Sequence, residues 1–327
     1  MGDLQKSELQ NGGRSLTKIV VVDKCPGCGS TDFRPTGPEA PPIQVVLDEC
    51  EFLQPSYSVL ECSECGLLYR SANLSDQELS DYYARVDFHK WVTPGYYPTE
   101  IAALKILRRL HKGARILDFG CSSGRLLSDL VGEYDCHGLE INVEAAARAA
   151  ACGLKMLASD DLERSLPGSF DAITLMDVFE HLSEPTGLLK KLARLLKPGG
   201  LLIIVTGNGD SQVCRRDPAQ FWYFRNVEHL SMFTRSYAEM LAVKIGATIT
   251  CWEEVSHYKM TPLVWVRQYI QDFAYWQFRS RTAISRLVLQ QIPVLKRAKH
   301  WPVAPALTVT CDHVVAVFSA GRQVIEQ

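Results

Sequence analysis

No stretch of this sequence approaches the roughly 20 consecutive apolar residues that a membrane-crossing helix requires. The opening, residues 1–16, is polar and lacks the apolar core of a secretory signal. Lys6 stands where an N-myristoylation pattern needs Ser or Thr. These absences predict a cytoplasmic protein. Net charge is nearly absent too: 35 basic residues face 37 acidic ones. That balance excludes a strong overall field for nucleic acid or anionic lipid and leaves only a local patch as a route to either. Internal repeats and low-complexity tracts are missing, which excludes solenoids and fibrous arrays. What remains is an ordinary globular composition, and 327 residues suffice for one large or two small domains.

Along the chain, residues 1–17 read as a flexible tail. Residues 18–70 alternate short β-like runs, such as Lys18 to Asp23 and Tyr57 to Glu61, with turn clusters; Pro35 to Pro42 is a Pro-rich loop. Residues 75–85 predict a short helix with Ser75 as N-cap and Glu78 closing a capping box. From about residue 98 the pattern changes to alternating helix and strand. Helices are predicted at 99–111, 124–131, 143–152 and 185–196. Strands are predicted at Arg115–Phe119, Asp135–Glu140, Phe170–Met176, Leu201–Thr206 and Asp312–Phe318. The continuous apolar run at 201–206 suits a parallel strand covered on both faces. Strands spaced by single helices predict an α/β fold, a doubly wound Rossmann-like sheet. The expected organisation is a tail (1–17), a small zinc-ribbon domain (18–74), a linker or cofactor cap (75–97) and the α/β domain (98–327), with a helical insertion at about 258–306.

Cysteine, by contrast, is plentiful: 11 residues, an odd number, with no export signal. That pattern favours metal over disulfides. Cys25-Pro-Gly-Cys28-Gly29 and Cys62-Ser-Glu-Cys65-Gly66 form two knuckles. The glycines let backbone N–H groups approach the thiolates, and four thiolates suit tetrahedral Zn²⁺. Sulfur fills all four positions, so Cys25, Cys28, Cys62 and Cys65 predict a structural zinc with no open coordination position. Cys50, between the knuckles, reads as a separate thiol.

Ile116-Leu-Asp-Phe-Gly-Cys-Ser-Ser-Gly124 places Asp118 and several small residues at a strand-to-helix turn. Such a turn lets a ligand touch the backbone and meet a helix N-terminus. It is neither the dinucleotide G-x-G-x-x-G nor a P-loop. Glu140 ends the next strand about 20 residues on, the spacing at which a carboxylate takes both hydroxyls of a ribose.

These segments carry a resemblance. Ile116–Gly124, Gly138-Leu-Glu140, Ser159-Asp-Asp161, Ser169 to Leu182 and Leu195 to Ile204 match, in order, the class I S-adenosylmethionine-dependent methyltransferases. Glu228-His-Leu-Ser-Met-Phe-Thr234 resembles the segment after the fifth strand in the ubiquinone-type branch. The resemblance covers about residues 98–250 plus the last strand, and an N-terminal zinc ribbon also resembles a subgroup of that branch. It implies that Gly120, Cys121, Ser122 and Gly124 line the methionine part of the cofactor. Asp118 would orient the turn and the cofactor's ammonium, and Glu140 would bind the ribose. Asp160 or Asp161 would accept from the adenine amino group. Met176 and Asp177 would lie near the methyl. Ser122 departs from the family's usual Gly, which restricts its freedom for positive φ.

The sulfonium is already activated, so the protein's task is alignment and exclusion of water, with a base where the nucleophile is a hydroxyl. His229 is the first candidate base and His181 the second, each weighed against a role in supporting the loop. Asp177, Glu180 and His181 also resemble a Glu-x-x-Glu-His segment that holds a divalent ion, such as Mg²⁺, in some relatives. His229 could complete that site. His89, Trp91, Tyr96 and Tyr97 are lid candidates, and Phe221 to Phe224 a wall of the acceptor pocket or simply core.

Residues 262–300 mix aromatic and basic side chains. That fits a helical cover, an interfacial helix giving peripheral membrane contact or a phosphate-binding surface. The reading is a methyltransferase acting on a small-molecule acceptor, a hydroxyl of a sugar or biosynthetic intermediate, either free or linked to a sugar or lipid. The alternatives are a metal-assisted RNA 2′-O-methyltransferase, against which the near-neutral charge stands, and a cofactor-binding scaffold whose ribbon docks a partner.

Overall fold

A computed structural model describes residues 18–47, 50–85, 94–164, 166–279, 289–308 and 310–321. Its centre is a seven-stranded sheet. The strands are β8 (Arg115–Phe119), β9 (Asp135–Leu139), β10 (Lys155–Leu157), β11 (Phe170–Met176), β12 (Leu196–Gly207), β14 (Ala247–Val255) and β15 (His313–Ala320). Their order is β10-β9-β8-β11-β12-β15-β14, parallel except for β15. β8 and β11 read as apolar runs because both faces are covered. Alternate residues go to opposite sides. Leu117, Ile173 and Ile204 join one buried cluster with α5 (Pro185–Leu195) and α7 (Arg235–Ile245). Ile116, Ala172 and Ile203 join another with α2 (Pro98–Leu107) and Ala149 of α3 (Val143–Ala151). The expected doubly wound fold is therefore present. The carboxyl ends of the parallel strands and the start of β15 all meet at one edge, where ligands of such sheets bind.

Two local expectations differ. The helix predicted at 124–131 is a series of turns with one 3-10 turn at Ser128–Leu130. Gly124 sits at φ 78°, and a Cβ there would lie 3.0 Å from the Cα of Ala149. The left-handed residue and the close approach of α3 break a regular helix there. β12 begins at Leu196, not Leu201. Lys197 to Gly200 enters it irregularly, with a register shift opposite Phe170 and Ala172.

The N-terminal part begins with β1 (Ile19–Val21), which pairs with β7 (Ala72–Leu74), and contains the hairpin of β3 (Ile43–Leu47) and β4 (Cys50–Gln54). β2 (Phe33–Pro35), β5 (Val59–Cys62) and β6 (Leu68–Arg70) form a sheet whose fourth strand comes from far downstream. β13 (Ser231–Met232) pairs antiparallel with β6. Arg70 is fully buried at that seam and donates to the carbonyls of Phe224, Asn226 (2.6 Å) and Val227 (3.2 Å). Helix α1 (Asp76–Arg85) has the expected cap: Ser75 and Glu78 bond each other reciprocally. Its Leu79 and Tyr82 pack on Val227 and Leu230. After β10 come α4 (Ser159–Arg164) and, past β12, α6 (Gln212–Arg216). In the insertion, α8 (Pro262–Arg279) is tied down by Asp272, which accepts from Arg216 at 2.8 Å, and a short α9 spans Pro293–Lys296. Among the described residues no helix is long and apolar enough to cross a membrane.

Candidate functional site

The four cysteines converge. Sγ of Cys25 lies 3.6 Å from that of Cys65, and Sγ of Cys28 lies 3.5 Å from that of Cys62. Four sulfurs about 2.3 Å from one zinc would stand about 3.8 Å apart, so the donor set fits that ion. Each knuckle closes with a glycine at positive φ, Gly29 at 81° and Gly66 at 72°. The knuckles pack on the sheet domain: a Cβ on Gly27 would meet the Tyr237 ring at 2.6 Å, and Thr234 Oγ1 donates to the Gly66 carbonyl.

At the carboxyl edge, the turn after β8 is built for close approach. Gly120 has φ 75°, and a Cβ there would meet Val178 Cγ2 at 2.6 Å. Ser122 holds φ 47° despite its side chain. Its N–H donates to Glu140 Oε2 at 2.9 Å, while Asn142 N–H donates to Oε1 at 2.8 Å. Glu140 thus joins the ends of β8 and β9, and a carboxylate with about four acceptor sites still has capacity for ligand hydroxyls. Asp118 lies buried behind the turn and accepts from Thr174 at 2.6 Å. Burial pushes its carboxyl up to about 7, against the opposing pull of the Thr174 bond. Cys121 is buried against Gly138. Asp161 accepts from Ala158 N–H at 2.8 Å at the start of α4, whereas Asp160 is exposed and faces Arg164. These residues set a glycine turn, the cradle, beside the Glu140 carboxylate, an arrangement that suits a nucleoside-bearing cofactor.

β11 ends beside that cradle. Met176 is half-buried, and Asp177 turns the chain at φ 52°. The 3-10 turn Phe179–His181 then aims Glu180 inward, fully buried, where it accepts from Thr206 at 2.7 Å. Tyr223 places its hydroxyl 2.9 Å from Asp177 Oδ1 and in contact with Glu180 Oε1. Burial pushes the Glu180 carboxyl above its usual value. Burial opposes ionisation of Asp177, but His313, His257 and the Tyr223 hydroxyl together outweigh it and hold the carboxyl well below the usual range.

His229 and His181 meet here, with ring centroids 4.8 Å apart. His229 is buried, and its Nδ1 donates to the Tyr223 carbonyl at 2.6 Å. The proton on Nδ1 leaves a lone pair on Nε2, 4.0 Å from Glu180 Oε1. Burial, then His181, keep His229 neutral, far below its ordinary value. His181 is more open; its Nδ1 lies 2.8 Å from the Tyr83 hydroxyl and 3.1 Å from the Glu228 carbonyl. Donor atoms of Glu180, His181 and His229 all lie within 4.8 Å of one another. The four residues expected to share an ion thus divide: Asp177 belongs to a second group, with His257 and His313. His257 and His313 were not anticipated. The one available signal was an Asp312-His313 pair heading an otherwise apolar strand.

Among the lid candidates, His89 and Trp91 lie outside the described residues. Tyr97 caps α2 and stacks on His257 at 4.7 Å, and Arg125 sits over the rings of Tyr96 and Tyr97. Trp222 and Tyr223 face the acid and histidine groups, while Phe221 and Phe224 are core.

Residues 96–251 match the model of the methyltransferase domain family. The ubiquinone biosynthesis O-methyltransferase of Xanthomonas oryzae pv. oryzae is 36% identical over 125 residues, covering 33% of this chain and 46% of that protein. The protein of the same name from Xanthomonas campestris pv. campestris is 34% identical over the same shares. The chain spans less than half the length of these relatives. A solved S-adenosylmethionine-dependent methyltransferase from Mesorhizobium loti aligns at 15% identity over 68% of this chain and 97% of that one, with a TM-score of 0.44.

Proposed function

We infer that residues 96–251, which belong to the methyltransferase domain family, make this chain an S-adenosylmethionine-dependent methyltransferase, and we propose that its acceptor is a hydroxyl of a small molecule, a sugar or a biosynthetic intermediate. The observation that carries the proposal is one of adjacency. The glycine-lined cradle ending at Glu140 opens beside a buried acid and histidine cluster at the same sheet edge. The O-methyltransferase names of the curated relatives support an oxygen nucleophile.

When bound, S-adenosylmethionine supplies an activated methyl group. The chain's own work is then to hold and orient. In this reading Gly120, Cys121, Ser122 and Gly124 admit the methionine portion, Glu140 takes the ribose, and Asp161 or Asp160 meets the adenine. Asp118 balances an ammonium, and Met176 with Asp177 borders the transferring group. His181, the more open imidazole, accepts the acceptor's proton at Nε2. His229, neutral and fixed through Nδ1, backs it. Such a base contributes roughly 10²–10⁴-fold. Leu263, Val266, Ile270 and Phe273 expose an apolar face of α8, which supports this helix as a surface for a lipid-linked acceptor or peripheral membrane contact.

A second reading has one favouring observation, the convergence of Glu180, His181 and His229. A divalent ion there would lower the pKa of an acceptor hydroxyl, including a 2′-hydroxyl of RNA. Two imidazoles suit Mn²⁺ or Zn²⁺ better than Mg²⁺, which prefers oxygen. Isotope-labelled S-adenosylmethionine incubated with fractionated extract, with and without EDTA, separates these readings. Label in a small-molecule fraction that survives EDTA is the expected result. Label in RNA, or transfer lost to EDTA and restored by Mn²⁺, transfers the proposal to the second reading. Tight cofactor binding with no labelled product in any fraction overturns both in favour of a scaffold.

A further inference from the structure

The second acid and histidine group lies between strands that are far apart in the chain. Asp177 follows β11, His257 follows β14, and His313 opens β15. One donor atom from each lies within 4.8 Å of the others. His313 is fully buried. Its Nε2 and the Nδ1 of His257 have no hydrogen-bond partner among the described residues, although Nε2 stands 3.4 Å from Asp177 Oδ1 as an ion pair. Two enclosed imidazole nitrogens and a carboxylate that face one space are the donor set of a first-row divalent cation.

The surroundings support that use. A metal-binding histidine usually gives its other ring nitrogen to a carboxylate, which fixes its tautomer and orientation. His313 Nδ1 lies 3.2 Å from Asp312 Oδ1. The same oxygen accepts the backbone N–H of His257 at 2.8 Å, and the other oxygen of Asp312 accepts from Trp222 at 3.0 Å. One buried carboxylate therefore holds the His313 ring and the His257 backbone. Tyr97 stacks on the His257 ring, and Tyr223 fixes Asp177 through its hydroxyl. A metal-free ion pair between Asp177 and His313 leaves the open Nδ1 of His257 unexplained.

We propose that Asp177, His257 and His313 form a binding site for a first-row divalent cation such as Zn²⁺ or Co²⁺, separate from the four cysteines and from Glu180, His181 and His229. Three protein ligands leave a coordination position open to an oxygen or nitrogen ligand, as catalytic rather than structural sites do. The site stands whether or not the acceptor is the one proposed above, because its test reads metal binding and not methyl transfer.

Co²⁺ titrated into the purified, zinc-containing full chain tests it, followed by visible absorption and by metal content after dialysis. The expected result is one added Co²⁺ with an imidazole and carboxylate spectrum and no thiolate-to-cobalt charge-transfer band. His257→Gln and His313→Gln should each weaken that binding by more than about 100-fold, and Asp312→Asn by about 10–100-fold, while His181→Gln retains it. Thermal melts check that each variant is folded. His257 is only half-buried, so its variant decides the matter even where the His313 variant does not fold. The proposal is overturned by no added Co²⁺, by a thiolate band, by full retention in His257→Gln, or by loss in His181→Gln, which would place the ion in the other group.

Discussion

Ser122 and Asp118 show how the cradle is held at the residue scale. A left-handed non-glycine residue costs about 1–2 kcal/mol. The Ser122 N–H bond to Glu140 helps offset that, so the resemblance to a glycine-bearing turn survives the substitution. Asp118 gives a pH prediction. Its folded-state pKa is raised by burial to about 7. Below that value it holds a proton and is neutral, and a cationic ammonium must first have it ionised. Cofactor affinity should therefore rise with pH, by at most about tenfold per unit, and level off above about pH 7. Asp118→Asn should bind more weakly and lose this dependence. Calorimetry across that range checks it, and an unchanged slope in the variant would remove Asp118 from the ammonium role. The residue types at this site were legible because the Gly turn and Glu140 are close in sequence and each obeys a local rule. The division of Asp177 away from Glu180 and His181 was not. An i, i+3, i+4 spacing suggests one face only if the backbone is helical, and Asp177 at φ 52° turns its side chain toward His313 instead.

At the scale of elements, the two-residue β13 matters more than its length suggests. It joins the ribbon's sheet through β6 and lies just past Glu228 and His229. Arg70 pins the same loop from the other side through three carbonyls. Replacing it by Met would keep much of the volume and leave the Phe224 and Val227 carbonyls unpaired in a buried seam, while the Asn226 carbonyl keeps the His229 N–H. At about 1 kcal/mol or more for each orphaned carbonyl, Arg70→Met should cost about 2 kcal/mol of stability. It should also lower turnover more than cofactor affinity, because the loop carries His229 and not the cradle. Denaturant melts, paired with kinetics and calorimetry, test this; equal losses in turnover and cofactor affinity would argue against it. The strand and helix pattern predicted this edge correctly in outline. It missed β13 because a two-residue strand has no measurable period, and it read a helix at 124–131 because apolar spacing there is helical while Gly124 forbids the geometry.

For the whole molecule, the ribbon and the sheet domain act as one packed body. Cys25, Cys62 and Cys65 belong to the same buried cluster as Phe179, Phe233 and Tyr237. Phe179 opens the 3-10 turn that carries Glu180 and His181. An ion held by the four cysteines would therefore bear on the site, and its loss should be felt there. Cys62→Ser should lower the metal content by one zinc, reduce the thermal transition and diminish methyl transfer together. A metal-depleted variant with a full melting temperature and full activity would show that the ion is dispensable.

The sequence by itself determined most of what depends on near neighbours, the region 124–131 excepted. The two knuckles, the turn at 116–124, Glu140 after the second strand and the alternation that builds a covered parallel sheet all follow from spacing and from local backbone rules. Tertiary structure alone decided which distant side chains meet. Asp177, Tyr223, His257 and His313 come from four separate segments, and β6 finds β13 across about 160 residues. Such pairs leave no period and no motif. Their proximity arises only when the sheet order and the packing of its connections bring every strand end to one edge.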